Sequence, residues 1–173
     1  GRPFGGDGEL LAVRILQRIG QKVEIGDVFL GPAAGITIAD ILIRNPDGFI
    51  QGDLLKINKI RLAMNYGELF RGRFSFRSIE VASPELSLLT AEGKLNMSDT
   101  FREFFVKKGT IEYLINEFSI RNASFRFNNE PLYHIRDMNL SMNNLSSVQG
   151  TKTSLKASLT FWDSNKMTAE GWV

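Results

Sequence analysis

From Lys22 onward, apolar residues recur at alternate positions, and a period of two over so much of a chain leaves little room for anything but β-structure. Val23/Ile25, Ile36/Ile38, Ile60/Leu62/Met64, Phe74/Phe76 and Leu86/Leu88 alternate with polar residues. So do Phe118/Ile120, Phe125/Phe127, Met138/Leu140/Met142 and Leu155/Ala157/Leu159/Phe161. Successive side chains on a strand point to opposite faces, so each run has one apolar and one polar face, the pattern of antiparallel sheet. The turns agree with this. Arg44-Asn-Pro-Asp-Gly48 carries Pro and Gly in turn order, and Phe70-Arg-Gly-Arg73 breaks a strand pair.

The alternation slips by one residue in several runs, through an apolar-x-x-apolar step at Ile25/Val28, Ile38/Ile41, Ile57/Ile60, Phe76/Ile79, Ile120/Ala123 and Ile135/Met138. An odd step sends the apolar set to the other face unless a residue is bulged out. Bulges that keep one apolar face are the economical reading; the alternative is that each step separates two shorter strands. Both readings give a strongly curved sheet. There is also an internal echo: Ser78-Ile-Glu-Val-Ala-Ser-Pro-Glu-Leu-Ser-Leu88 and Glu117-Phe-Ser-Ile-Arg-Asn-Ala-Ser-Phe-Arg-Phe127 share apolar positions around a polar break.

Two segments break the β pattern. In residues 9–19, Leu11, Ala12, Ile15, Leu16 and Ile19 recur at helical spacing, and Gly20 suits a helix stop. Residues 99–108 read as a short helix capped by Ser98 or Asp99, with Phe101, Phe104 and Phe105 on one face and Lys107 and Lys108 at its end. The expected class is therefore α+β: a strongly curved, mainly antiparallel, half-barrel or groove-like sheet with an N-terminal helix and a short helix near 99–108. Residues 1–8 are polar and glycine-rich and read as an edge outside the folded part. Residues 9–173 read as a single β-rich module, divisible into two repeat units at about 22–98 and 110–173. The chain stops at Glu170-Gly-Trp-Val173 inside an extended pattern, so it is read as truncated at its C-terminus.

Composition narrows the function classes. A chain of 173 residues suffices for one domain, which typically buries ~70% of its unfolded surface without staples. Its 21 basic and 19 acidic residues leave a net charge of +2, too balanced to mark a nucleic-acid surface. There is no cysteine, hence no disulfide or thiolate chemistry. No apolar run approaches the ~20 residues of a spanning helix.

A search for catalytic groupings finds none. The one histidine, His134, lies in Leu132-Tyr-His-Ile135, where it is expected to face solvent with no nucleophile or ligand partner beside it. Asp27, Asp40, Asp47, Asp53 and Asp137 are scattered singly. Gly31-Pro-Ala-Ala-Gly35 is a turn, because neither a Gly-x-Gly-x-x-Gly fingerprint, a P-loop lysine nor a Gly-x-Ser-x-Gly elbow is present. Arg71, Arg73 and Arg77 interleave with Phe74 and Phe76, as a headgroup-binding surface or an ordinary solvated strand face would. The expectation is a non-enzyme with no catalytic, metal or cofactor residues.

The order of segments carries a resemblance. Lys22-Val-Glu-Ile-Gly26 precedes Gly35-Ile-Thr-Ile-Ala-Asp-Ile-Leu-Ile-Arg-Asn-Pro-Asp-Gly-Phe49. Then come Leu55-Lys-Ile-Asn-Lys-Ile-Arg-Leu62, Gly67-Glu-Leu-Phe-Arg-Gly-Arg73, the Ser78–Leu88 segment and Gly93-Lys-Leu-Asn96. In this order and spacing, residues 23–99 resemble the N-terminal portion of AsmA-like proteins, and residues 110–173 resemble later repeats more loosely. The resemblance implies a bacterial periplasmic body, an inner-membrane anchor N-terminal to this chain, and an elongated curled sheet similar to bridge-like lipid transfer proteins. It also implies phospholipid movement and outer-membrane maintenance.

Together these readings lead to an expected partner, a phospholipid or other acyl lipid, held by an apolar β-groove without directional chemistry. The expected lining is Leu62, Met64, Phe74, Phe76, Leu86, Leu88, Phe125, Phe127, Leu140, Met142, Leu159 and Phe161, although Leu62 and Phe125 serve equally as examples of fully buried core. The rival reading is a periplasmic scaffolding or protein-interaction module with a closed, lipid-free core, plugged by the phenylalanine helix. A hydrolase built around His134 is a distant third.

Overall fold

The computed structural model describes residues 23–32, 35–71, 74–97, 113–130, 133–147, 150–161 and 165–172. The expected helices at 9–19 and 99–108 lie outside these residues, as does part of the Gly31–Gly35 turn. One open sheet dominates. Its strands are β1 (Val23–Leu30), β2 (Gly35–Arg44), β3 (Asp53–Met64) and β4 (Phe74–Leu88), followed by β7 (Tyr113–Phe127), β8 (His134–Ser146), β9 (Ser154–Phe161) and β10 (Asn165–Trp172). They are hydrogen-bonded in the order β1-β2-β3-β4-β7-β8-β9-β10. A single-turn helix α1 (Tyr66–Leu69), not expected from the sequence, joins β3 to β4, and β5 (Thr90–Ala91) pairs with β6 (Lys94–Leu95) as a small separate hairpin.

Every neighbouring pair in the large sheet is antiparallel except β4 and β7, which run parallel. Two antiparallel meanders, β1–β4 and β7–β10, are thus joined side by side along one parallel seam. The two segments that echo each other in sequence are the ones that meet there. Ser78 lies opposite Glu117, Ile79 opposite Phe118, Val81 opposite Ile120, and Leu88 opposite Phe127. Matching apolar positions at a constant offset set the parallel register, because any odd shift would put apolar against polar.

The parity slips are irregularities in continuous strands, not breaks between them. Ile25 pairs with Ile41 and Val28 with Ile38; Ile41 pairs with Ile57 and Ile38 with Ile60. Apolar residues on both sides of each step therefore meet across the ladder. The residues skipped by the ladder (Gly26, Asp40, Asn58, Ser83 and Asn122) form a line crossing strand after strand. Asp40, Ser83 and Asn122 on this line, and Asp137 on β8, have φ between 51° and 53°. Such left-handed backbone costs roughly 1–2 kcal/mol per residue, least for Asn and Asp. Side chains offset part of it. The Asn122 backbone N–H donates to Asn139 Oδ1 at 3.0 Å, Asn139 Nδ2 donates to the Asp137 carbonyl at 2.9 Å, and Asn122 Nδ2 reaches Ser83 Oγ at 3.3 Å.

Glycine is required at the start of this line. A Cβ on Gly26 would stand 2.8 Å from the Cβ of Asp40, an atom that cannot swing aside. Gly26→Ala is accordingly expected to cost ~1–3 kcal/mol, the usual range for overpacking, read as a lower urea midpoint. An unchanged midpoint would show that the two strands can part without loss.

Full burial is rare. Among the described residues the buried apolar side chains are Ala39, Ile41, Ile43 and Leu54, and Leu54 is 0% exposed. The expected core residues Leu62 and Phe125 are only half-buried, because no second layer of described structure closes over their face. A polar residue is buried almost as deeply as Leu54. Asn96, 1% exposed, follows the β5–β6 hairpin, whose turn residues Glu92 and Gly93 have φ of 50° and 75°, as a two-residue hairpin turn requires. Its Oδ1 accepts from the Leu89 N–H at 3.0 Å, and its Nδ2 donates to Asn45 Oδ1 at 2.8 Å and to the Ser87 carbonyl at 2.9 Å. Asn45 in turn donates to the Ile50 carbonyl at 3.0 Å. One asparagine thus ties the hairpin to the end of β4 and to the β2–β3 turn.

Candidate apolar binding face

Residues directly opposed in a ladder share a face, so the registers can be followed from strand to strand. The central row is Val28–Ile38–Ile60–Val81–Ile120–Leu140–Ala157–Ala169 and crosses all eight strands. A second row is Leu30–Ile36–Leu62–Ile79–Phe118–Met142–Leu155–Gly171. The third is Val23–Ile43–Leu55–Leu86–Phe125–Ile135–Phe161, ending at Asn165. Strands spaced ~4.8 Å apart make each full row roughly 34 Å long. Along the central row every side chain from Val28 to Ala157 is half-buried and none is fully covered.

Most of the expected lining residues fall on or beside these rows. Leu62 and Met142 share one row, Leu86 and Phe125 another, and Leu140 sits in the central one. Met64 is opposite Phe76, Leu88 opposite Phe127, and Leu159 opposite Met167. Phe161 lies opposite Ile135 at the backbone. Phe74 lies at the end of the sheet opposite Tyr113 and is 46% exposed. The central row adds Ile38, Ile60, Val81 and Ile120 to the expected lining; all carry the same alternation, and Ile38, Ile60 and Ile120 each flank a parity slip.

The opposite face is polar and laced with ion pairs. Arg44 reaches Asp53 at 2.8 Å and Glu24 at 3.5 Å, Arg61 reaches Glu80 at 2.8 Å, and Arg121 meets the other oxygen of Glu80 at 3.5 Å. Lys156 and Glu170, directly opposed, approach to 2.6 Å; the bond holds the Glu170 carboxyl below its ordinary value and raises the lysine. These pairs are solvent-exposed and add little stability. They do fix which face meets water. A depression of about 670 Å³ lies on the line of skipped residues, lined by Ile25, Ile41, Leu42 and Ile57 as well as Glu24, Gly26, Asp40, Lys56, Asn58, Ser83 and Glu85. Among the described residues no three His, Asp or Glu side chains group as metal ligands would.

His134 departs from expectation. It is half-buried at the start of β8, opposite Arg126 and two residues from Arg136. Burial first, then the Arg126 and Arg136 charges, lower its pKa below the ordinary 6.5, while Glu85 opposes them weakly. The unfolded chain then binds the proton more readily, so stability is present above the ordinary value and falls as pH drops through it. His134→Gln is expected to flatten that part of the stability profile between neutral and mildly acidic pH. An identical acid-side slope in the variant would contradict the assignment.

No protein-family model matches the chain, and no curated protein matches it.

Proposed function

We propose that this chain is a non-enzymatic lipid-handling module whose open apolar sheet face holds the acyl chains of phospholipid. The observation that supports this reading is the central apolar row, which crosses all eight strands and stays half-exposed from Val28 to Ala157. An apolar face of this size is costly in water. Covering it yields roughly 25 cal/mol per Å², without needing hydrogen bonds in particular directions. The polar face and its ion pairs supply the complementary condition, since one side of the sheet is built for water and the other is not. The register shift at Ile120/Ala123 and the left-handed residues Asp40, Ser83 and Asn122 on the line from Gly26 favour a strongly curved, trough-like sheet. On this reading the resemblance to AsmA-like proteins implies a trough in the bacterial periplasm, tethered to the inner membrane and serving outer-membrane maintenance.

Purified protein extracted with organic solvent is expected to yield acyl lipid by mass spectrometry, and Val81→Gln or Ile120→Gln to reduce that yield at unchanged secondary structure. Lipid-free protein, with both variants indistinguishable from the parent, would favour the scaffolding module instead.

A further inference from the structure

The line of skipped residues is not held alike along its length. Ile25 pairs with Ile41 and Asp27 with Ala39, which leaves Gly26 and Asp40 out of the β1–β2 ladder. Asp40 and Asn58 are left out between β2 and β3, and Asn58 and Ser83 between β3 and β4. Gly26, Asp40 and Asn58 are solvent-exposed, and neither the Asp40 nor the Asn58 side chain makes a hydrogen bond among the described residues. Across β7 and β8 the same line is tied down. There the Asn122 N–H donates to Asn139 Oδ1, Asn139 Nδ2 donates to the Asp137 carbonyl, and Asn122 Nδ2 reaches back to Ser83 on β4.

The two sides of the line differ as well. Toward the β5–β6 hairpin, Ile41, Ile43 and Leu54 are buried, and Asn96 bonds to Asn45 at 2.8 Å. On the other side β1 ends in Phe29 (56% exposed) and Leu30 (60%), and the facing Ile36 and Ile38 of β2 are only half-buried. β1 is also the outermost strand of the sheet among the described residues. A missing rung removes the bonds that resist bending across a strand pair. Glycine, and an aspartate already in left-handed backbone, can absorb the change in dihedral angle that bending needs. Segments with few buried contacts and exposed backbone move at the lowest cost.

We infer that Gly26, Asp40 and Asn58 form a hinge, about which the joined ends of β1 and β2 (Val28–Leu30 and Gly35–Ile38) swing against the rest of the sheet. The motion changes the curvature of the apolar face at one corner, around Val28, Ile38 and Ile60. The β7–β8 stretch stays fixed, because Asn122 and Asn139 stand in for the missing rungs. The hinge does not depend on lipid, since a dry sheet flexes about the same residues.

Spin labels read this motion directly, and the chain has no cysteine of its own. F29C/D47C puts one label on each side of the hinge, and L114C/E130C puts one on each side of the tied section, all at exposed positions. Double electron–electron resonance is expected to give a distance distribution at least about twofold broader for F29C/D47C. Asn139→Ala in the L114C/E130C background, checked for unchanged circular dichroism, is expected to widen that pair's distribution and to speed hydrogen exchange at the Asn122 amide about tenfold. Equal widths in the two pairs would overturn the hinge and leave a fixed crease in its place. An unchanged width in the folded Asn139→Ala variant would also overturn it, since the ties would then hold nothing.

Discussion

Replacing Asn96 with leucine is expected to remove about 4 kcal/mol of stability, although the two side chains are close in size. The leucine would leave the Leu89 N–H, the Ser87 carbonyl and Asn45 Oδ1 facing apolar atoms where water barely reaches. Each buried polar group so orphaned costs roughly 1–3 kcal/mol. Asn96→Asp should do little better, because its second oxygen would confront two acceptors, the Ser87 carbonyl and Asn45 Oδ1, in place of a donor. Asn45→Ala removes one partner from a more accessible position and should cost ~1 kcal/mol. Urea midpoints at constant slope would measure all three. A loss below about 1 kcal/mol for Asn96→Leu would mean that water takes over these bonds and that the hairpin is not tied down as described.

The second large effect separates core from face. Leu54→Ala should cost ~3–5 kcal/mol, since Leu54 is wholly enclosed and the change leaves a cavity. Leu140→Ala and Met142→Ala, on half-exposed rows, should each cost only ~1 kcal/mol, because no closed cavity forms and half of each side chain's burial was never gained. Equal and large losses at all three positions would mean that the apolar rows are ordinary core, covered on both sides.

The contrast between these positions also marks what the sequence makes legible. Alternation sorts residues by face, and this is enough to recover the strands, the polar and apolar sides, and the bulge at Ile120/Ala123. It does not say which face is covered. Leu54 falls on the polar row of β3 by parity, yet it is the most deeply buried side chain among the described residues, while Leu62 and Phe125 lie on the apolar side and remain half-open. Burial comes from what packs over a position, and parity does not supply that. The parallel junction is similar. The echo between Ser78–Leu88 and Glu117–Phe127 was visible as a likeness, but likeness alone does not state that two segments lie side by side. In the sequence Asn96 is only the last residue of Gly93-Lys-Leu-Asn96. Its burial depends on Asn45, which no local pattern connects to it. His134 is similar, since its partial burial and the cross-strand Arg126, which together lower its basicity, are set by register.

The apolar rows bear most of the functional reading, and neighbouring residues on opposite faces give the most direct way to examine them. Ile120 lies in the central row, whereas Arg121, the next residue, belongs to the polar face and reaches Glu80 at 3.5 Å. A photo-reactive amino acid placed at either position, followed by irradiation of the protein in lipid extract and mass measurement, reads out which face meets acyl chains. The account predicts lipid-mass adducts from position 120 and none above background from position 121. Equal labelling at the two positions, or none at 120 with the protein shown to be folded, would contradict it.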